Sequence, residues 1–321
     1  MPWKRSEKNP ILTRESIPDI HPNVVDPSAV LNPGAIRHGE TTLLLLHVQT
    51  RGRETHLIRA VSRDGVEFKV DSRPARFFGL EKLSETVHRI YDPRITRLDD
   101  RFCVMVALDL DSGCRLGLAV TENFETFEFT GLPAEQDLRD GALFPERIGG
   151  KCLRLERPNR VRLPGGQTSG DQIWLSASDD LESWEPVGRV LKGRPRHWDE
   201  LIGAGPPPVK TRDGWLHIYH GVALQPLSGG VYQAGAALLD LKDPTKVLAR
   251  SRNNCLEPRE PYEVTGRVPN VVFPTGLIVD EFDNEGFAVP TSTVRLYYGA
   301  AGTTVALATT TMRDLLAMCL D

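Results

Sequence analysis

Three segments of this chain repeat one local pattern at nearly even spacing. Ser62–Phe68, Thr121–Phe127 and Ser178–Trp184 each begin with a hydroxyl residue at the end of an apolar run, pass through an acidic turn, and reach an aromatic side chain six positions on. The runs before them, Thr55–Val61, Cys114–Val120 and Gln172–Ala177, are short and strand-like. Weaker echoes follow at Ala236–Asp240, with Lys242 and Pro244 beyond, and at Thr304–Ala308, with Thr309 next. The intervals from Ser62 through Thr121, Ser178 and Asp240 to Thr309 are 59, 57, 62 and 69 residues. A unit of that size, built of short strands and turns, makes one small sheet that must stack on its neighbours to bury its faces. Five such units predict an all-β fold, a five-bladed β-propeller.

Little else in the chain competes with that reading. Helical periodicity is confined to Thr310–Leu320, where Met312, Leu315, Leu316 and Cys319 fall on one face and predict a short C-terminal helix packed outside the sheets. The leucine run Leu43–Leu46 is far too short to cross a bilayer and reads as a buried strand. No Pro/Ser/Gly linker divides the chain, and Leu163–Gly170 reads as a loop tip, so residues 1–321 are expected to form one catalytic domain. The formal charge of −4 comes from interspersed signs, without the basic footprint that nucleic acid requires. Met1–Pro10 has no apolar segment behind its charges, so a signal peptide is not expected. Five scattered cysteines, odd in number and without metal-ligand spacing, fit a reducing compartment, with the cytoplasm as the expectation.

Chemistry concentrates in two clusters. One is Tyr91–Thr96, with Asp92, Pro93 and Arg94; the other is Arg139–Glu146, followed by Gly150, Lys151, Arg157 and Pro158. Asp92 at the end of an inner strand suits a general acid whose pKa is raised by partial burial. It equally suits an Asx-turn, with Pro93 biasing it toward an extended conformation. Arg139 and Arg157 carry the planar fork that fits phosphate or carboxylate. Arg94, Arg147 and Arg154 show that arginine is frequent here, and each reads as solvating a face. His217 and His220 lie three apart, on opposite faces of a strand, which disfavours a shared metal and gives His220 a neutral hydrogen-bonding role. Tyr232 and the Gly203–Pro208 loop are open to structural or functional readings, and no P-loop or dinucleotide glycine motif is present. A lone acid beside an anion clamp points to acid-assisted transfer of a group onto phosphate.

At these residues the sequence resembles glycoside hydrolase family 130, the β-mannoside phosphorylases. The matching stretches run through almost the whole chain: Asn32–Ala35, Asp92–Thr96, Arg139–Asp140 with Phe144–Glu146, Gly150–Lys151 with Arg157–Pro158, Ile202–Pro208, Gly214–Leu216 with Tyr219–Val222, Phe273–Gly276 and Tyr297–Ala301. The resemblance implies a five-bladed propeller and inverting phosphorolysis of a β-mannoside to α-mannose 1-phosphate, with inorganic phosphate as co-substrate and no cofactor or metal. It implies that Asp92 is the single general acid, acting through a mannosyl hydroxyl. Arg139, Arg157, His220 and Tyr232 would hold phosphate, and Asn32, Asp140 and Phe273 would surround the sugar. The implied partners are an oligosaccharide and phosphate, with no nucleic acid or membrane, and with self-association a habit of such relatives.

Three positions depart from the family pattern. His47 stands where arginine is usual, Gly302 where aspartate is usual, and Tyr91 replaces an acidic neighbour of Asp92. His47 and Gly302 are expected to face the transferred sugar, so their change should shift selectivity. Two alternatives follow. One is a β-mannosidase, using Asp140 or Glu146 to activate water. The other is a non-catalytic sugar-binding propeller. A WD-type interaction scaffold lacks its Trp-Asp signature.

Overall fold

The repeated turns are built from the side chains that mark them in the sequence. Ser62 Oγ accepts the Gly65 amide at 2.9 Å, while Asp64 Oδ1 takes the amides of Val66 and Glu67, each at 2.9 Å. Thr121 Oγ1 takes the Phe124 amide at 2.9 Å and Asn123 Oδ1 those of Glu125 and Thr126. Ser178 Oγ takes the Leu181 amide at 2.8 Å and Asp180 Oδ1 those of Glu182 and Ser183. Side-chain oxygens thus replace the backbone acceptors lost where a strand ends. Asp240 does the same for Lys242 and Asp243. The fifth turn lies two residues later than the echo at Thr309 suggested. The strand runs on to Thr311, whose Oγ1 accepts the Asp314 amide and opens the C-terminal helix Met312–Leu320.

Each marked turn leaves the third strand of a sheet. The computed structural model describes residues 2–131, 136–163, 166, 168–225 and 229–320; the tip of Leu163–Gly170, at 164, 165 and 167, lies outside the described residues. Blade 1 runs Ala29–His38, Thr41–Gln49, Thr55–Ser62 and Lys69–Pro74. Blade 2 runs Arg89–Leu98, Arg101–Leu110, Gly113–Thr121 and Thr126–Phe129, with Arg76–Phe78 parallel at its rim. Blade 3 is Leu138–Leu143, Cys152–Pro158, Gln172–Ser178 and Glu185–Lys192. Blade 4 is Leu201–Ala204, Gly214–Gln225, Gly229–Leu239 and Val247–Arg250. Blade 5 is Val272–Val279, Thr293–Ala300 and Thr304–Thr311. Its fourth strand is Lys4–Arg5 from the start of the chain, which closes the ring. Arg5 Nε bonds the fully buried Glu263 at 2.8 Å, and Tyr298 donates to the same carboxylate at 2.7 Å, fastening that closure.

The core is divided among the blade interfaces. Leu44 and Leu46 join the cluster shared by blades 1 and 5, whereas Leu43 and Leu45 join that of blades 1 and 2. The strict alternation of a strand explains why one leucine run feeds two interfaces. Each of these leucines is almost wholly buried, and truncating one to alanine would cost about 2–5 kcal/mol. On the C-terminal helix Met312, Leu315, Leu316 and Cys319 are the buried residues, and they pack on blades 4 and 5. All five cysteines are buried free thiols, and no helix among the described residues is long and apolar enough to cross a membrane.

Candidate active site

Four of the five inner strands carry a register slip at the same level. It falls between Leu31 and Gly34, Tyr91 and Arg94, Arg139 and Ala142, and Pro274 and Gly276. In three of them the extra residue is Asn or Asp at positive φ: Asn32 at 30°, Asp92 at 52° and Asp140 at 56°. These side chains tolerate that region better than others, and a bulge re-aims its side chain. Asp92 is therefore not in the extended conformation that Pro93 alone favours; the bulge overrides the local bias. All three side chains line one cavity of 420 Å³, with Arg139, Arg157, Tyr232, Phe273 and Gly302.

Asp92 is largely withdrawn from solvent, with 15% of its side chain exposed. Its Oδ1 accepts Asn32 Nδ2 at 2.8 Å and lies 3.1 Å from His47 Nδ1. Arg94 Nη1 donates to its backbone carbonyl at 3.2 Å. Burial opposes ionisation, but the His47 hydrogen bond, with Arg94 and Asn32 behind it, outweighs burial and holds the carboxyl below its ordinary value. The raised pKa expected from partial burial is thus corrected, because two of the partners, His47 and Asn32, come from blade 1 and lie far off in sequence. His47 does not line the cavity. It is buried behind Asp92, with its Nε2 unpartnered.

The other wall is braced by charge. Arg94, expected to solvate a face, is 2% exposed and acts as a hub. It donates to Asp140 Oδ1 at 3.1 Å and to the carbonyls of Ala204 and Gly205. Arg154 is likewise buried, between Glu156 and the Trp184 ring, whereas Arg147 does lie at the surface with Asp99. Arg157 Nη1 is 3.0 Å from Asp140 Oδ2, close enough for an ion pair but off the hydrogen-bond direction, so Oδ2 has no hydrogen bond. Burial penalises the Asp140 charge, yet Arg157, with Arg94 and Arg139 beyond, keeps its carboxyl below the usual range.

His220 is fully buried in the middle of its strand, 3.4 Å from Arg157 Nη1 through Nε2. Burial lowers its pKa to about 3, so the ring is neutral and accepts from Arg157. It stacks on Tyr232 and tilts against Phe273, with centroids 5.9 and 4.6 Å away. A Cβ at Gly203 would collide with both the Asp140 carboxylate and the His220 ring, so that position needs glycine. Arg139 is less committed. Its guanidinium reaches Asp109 only at 4.0 Å, and its buried Nε has no partner. Asp109 is already bonded by Tyr91 at 2.7 Å and by Arg89.

The structure brings Asn32, Asp92, Arg139, Asp140, Arg157, Tyr232, Phe273 and Gly302 to the cavity, with His47 and His220 in the shell behind. Glu146 is not among the lining residues and pairs with Lys210 at 2.7 Å. Sequence reasoning missed Arg94 as a hub, Asp109 as the partner of Tyr91, and Gln49, Arg53, Arg267 and Val268 at the cavity wall. For Arg94 a signal existed, since it follows the bulge directly; for the wall residues none did. Gly302, at φ 59°, sits against Val268, where an added Cβ would approach to 2.9 Å. Among the described residues no group of His, Cys, Asp or Glu is arranged to hold a metal ion.

The chain is similar to known proteins along nearly its whole length. A family model described as β-1,4-mannooligosaccharide phosphorylase matches residues 2–321. The chain is 35% identical over 260 residues to a 1,2-β-oligomannan phosphorylase of Thermoanaerobacter sp., covering 80% of this chain and 78% of that one. It is 34% identical over 318 residues to a β-1,4-mannooligosaccharide phosphorylase of Ruminococcus albus, covering 97% and 89%. Among solved structures, β-1,2-mannobiose phosphorylase from Listeria innocua in complex with β-1,2-mannobiose superposes with a TM-score of 0.84 at 28% identity, over 100% of this chain and 99% of that one.

Proposed function

The chain belongs to glycoside hydrolase family 130, and from that membership we propose that it is an inverting phosphorylase. It cleaves a β-mannoside with inorganic phosphate to give α-mannose 1-phosphate and a shortened acceptor. One observation carries the choice of phosphorolysis over hydrolysis. Of the two carboxylates in the cavity, Asp140 is tied to Arg94 and Arg157, so none is left to activate water, while Arg139, which reaches Asp109 only at 4.0 Å, can take an anion. An inverting hydrolase needs that second carboxylate. Phosphate is already a nucleophile and needs only position and charge neutralisation.

In the proposed reaction a phosphate oxygen, held by Arg139, Arg157 and Tyr232 with His220 bracing Arg157, attacks the anomeric carbon. The glycosidic C–O bond breaks as the new C–O–P bond forms on the opposite face. The proton of Asp92 passes, through a sugar hydroxyl by the family pattern, to the departing oxygen. Asn32, Asp140 and Phe273 frame the sugar. Its protein partners alone make Asp92 favour its ionised form. A bound phosphate dianion adds negative charge and excludes water, and both effects push the carboxyl back toward its protonated form. Residues 1–321 act as one catalytic domain, and the buried free thiols support a cytoplasmic setting. Relatives named for 1,2 and 1,4 bonds stand at 35% and 34% identity, and the proposed reaction suits either linkage.

The test is the reaction run backwards. α-Mannose 1-phosphate is offered with neutral and acidic acceptor sugars and released phosphate is followed. Release with at least one acceptor is expected. Silence across the panel, together with phosphate-independent cleavage of β-mannosides, would replace this reading with hydrolysis. Silence with no cleavage at all would leave a sugar-binding propeller.

A further inference from the structure

One side of the cavity has no part in the reaction described above. Gln49, Arg53, Arg267, Val268 and Gly302 form it. Arg53 stands in the turn between the second and third strands of blade 1, at φ 70°, with its amide donating to the Thr50 carbonyl at 3.1 Å. The acids nearby are engaged: Asp26 accepts Arg51 at 2.8 Å, and Glu54 accepts the Thr50 hydroxyl at 2.8 Å. Arg267 reaches the cavity from the connection between blades 4 and 5. Its Nη1 donates to Ser28 Oγ at 3.0 Å and its amide to Thr303 Oγ1 at 3.0 Å. Neither guanidinium has a carboxylate partner among the described residues. The phosphate pair, Arg139 and Arg157, comes instead from blade 3.

Charge balance separates the two pairs. With Asp92 carrying its proton, the guanidiniums of Arg53, Arg94, Arg139, Arg157 and Arg267 are set against two carboxylates, Asp140 and Glu54, the latter bonded only to the neutral Thr50 hydroxyl. Asp109 and Arg89 pair behind Arg139 and cancel. A phosphate dianion takes up two of the three excess charges and leaves one, on the side of Arg53 and Arg267. Val268 and Gly302 add no polar side chain to this wall, so its recognition chemistry rests on the arginines and Gln49. Guanidinium forks match carboxylate and phosphate groups in geometry as well as charge.

We propose that Arg53 and Arg267 form an acceptor subsite for a sugar bearing an anionic group, a uronate carboxylate or a phosphate ester. The proposal rests on the phosphorylase reading. It makes the physiological substrate a mannoside of an acidic sugar, whose neutral counterpart is a weaker acceptor.

Matched acceptors test it. With α-mannose 1-phosphate as donor, D-glucose and D-mannose are compared with D-glucuronate, D-mannuronate and the two hexose 6-phosphates. An acidic member of the panel should exceed its neutral counterpart in kcat/KM by about ten-fold or more, as charge-assisted hydrogen bonds to two guanidiniums allow. Uronates ahead of the 6-phosphates would identify a carboxylate; the reverse order would identify a phosphate ester. The preference should shrink between about 50 and 500 mM salt, because exposed charges are screened. Arg53→Gln and Arg267→Gln should each cut the acid-over-neutral ratio by about ten-fold, mainly through the acceptor KM. Neutral acceptors equal to or better than the acidic ones, with a ratio unmoved by either variant, would overturn the subsite while leaving the phosphorylase intact. If no acceptor turns over, calorimetry on Asp92→Asn with phosphate present still decides. Tighter glucuronate than glucose binding, lost in Arg53→Gln, supports the subsite, and equal binding rejects it.

Discussion

Asp92 and Asp140 occupy the same place in adjacent blades. Each sits at the bulge of an inner strand, at φ 52° and 56°, and each lines the cavity. Their partners differ. Asp92 is held by an amide and an imidazole on one oxygen, and its Oδ2 makes no hydrogen bond with a described residue. Asp140 is 4% exposed, with Arg94 on one oxygen and Arg157 beside the other. One backbone device therefore supplies two chemistries. Where no guanidinium reaches the carboxylate oxygens, a change of local charge can move the proton; where two do, the carboxylate is a fixed counter-ion that orients the anion clamp.

The largest expected effect comes from removing the mobile proton. Asp92→Asn should lower kcat by about a thousand-fold, the usual scale of a general acid, while mannoside binding persists. Near-normal turnover would take Asp92 out of the reaction. Asp140→Asn should act differently. Leaving two buried guanidiniums short of a counter-ion should cost about 3 kcal/mol of stability, read as a lower midpoint in urea, and should raise the phosphate KM. An unchanged midpoint would mean that Asp140 is not a structural counter-ion.

His47→Gln probes the weaker electrostatic grip on Asp92. Removing the imidazole lets the carboxyl rise, so the alkaline limb of kcat/KM should move to higher pH. A limb that stays in place would assign His47 to packing alone. The smallest effect concerns His217, fully buried with both ring nitrogens unpartnered and its pKa lowered to about 3, chiefly by burial. Between that value and the ordinary imidazole value of about 6.5, the unfolded chain binds a proton that the folded one does not. Stability must therefore fall as pH falls through this window. His217→Phe should flatten that slope by about 2 kcal/mol between pH 7 and pH 5, measured by urea unfolding at each pH. An unaltered slope would show that His217 does not contribute to it.

How much of this was legible in the chain follows the range of the interactions. The turns after Ser62, Thr121 and Ser178 were readable because hydroxyl, acid and amide lie within a few residues of one another. The bulges were half readable: Asn32-Pro33, Asp92-Pro93 and Asp140-Gly141 mark them, but the positive φ of Asp92 depends on the strand pairing around it. The ionisation of Asp92 was not readable, since His47 and Asn32 reach it only after blades 1 and 2 pack together. Arg94 looked like any surface arginine, because the carbonyls it binds lie 110 and 111 positions away. Arg53 and Arg267 meet at one cavity only because the ring closes.

The most direct test of phosphorolysis is the fate of the anomeric carbon. A β-mannoside made in the reverse reaction is returned to the protein with and without inorganic phosphate, and the products are followed by proton and phosphorus NMR. The expected result is α-mannose 1-phosphate as the first sugar product, with no cleavage when phosphate is absent. Free mannose appearing at the same rate without phosphate would contradict it.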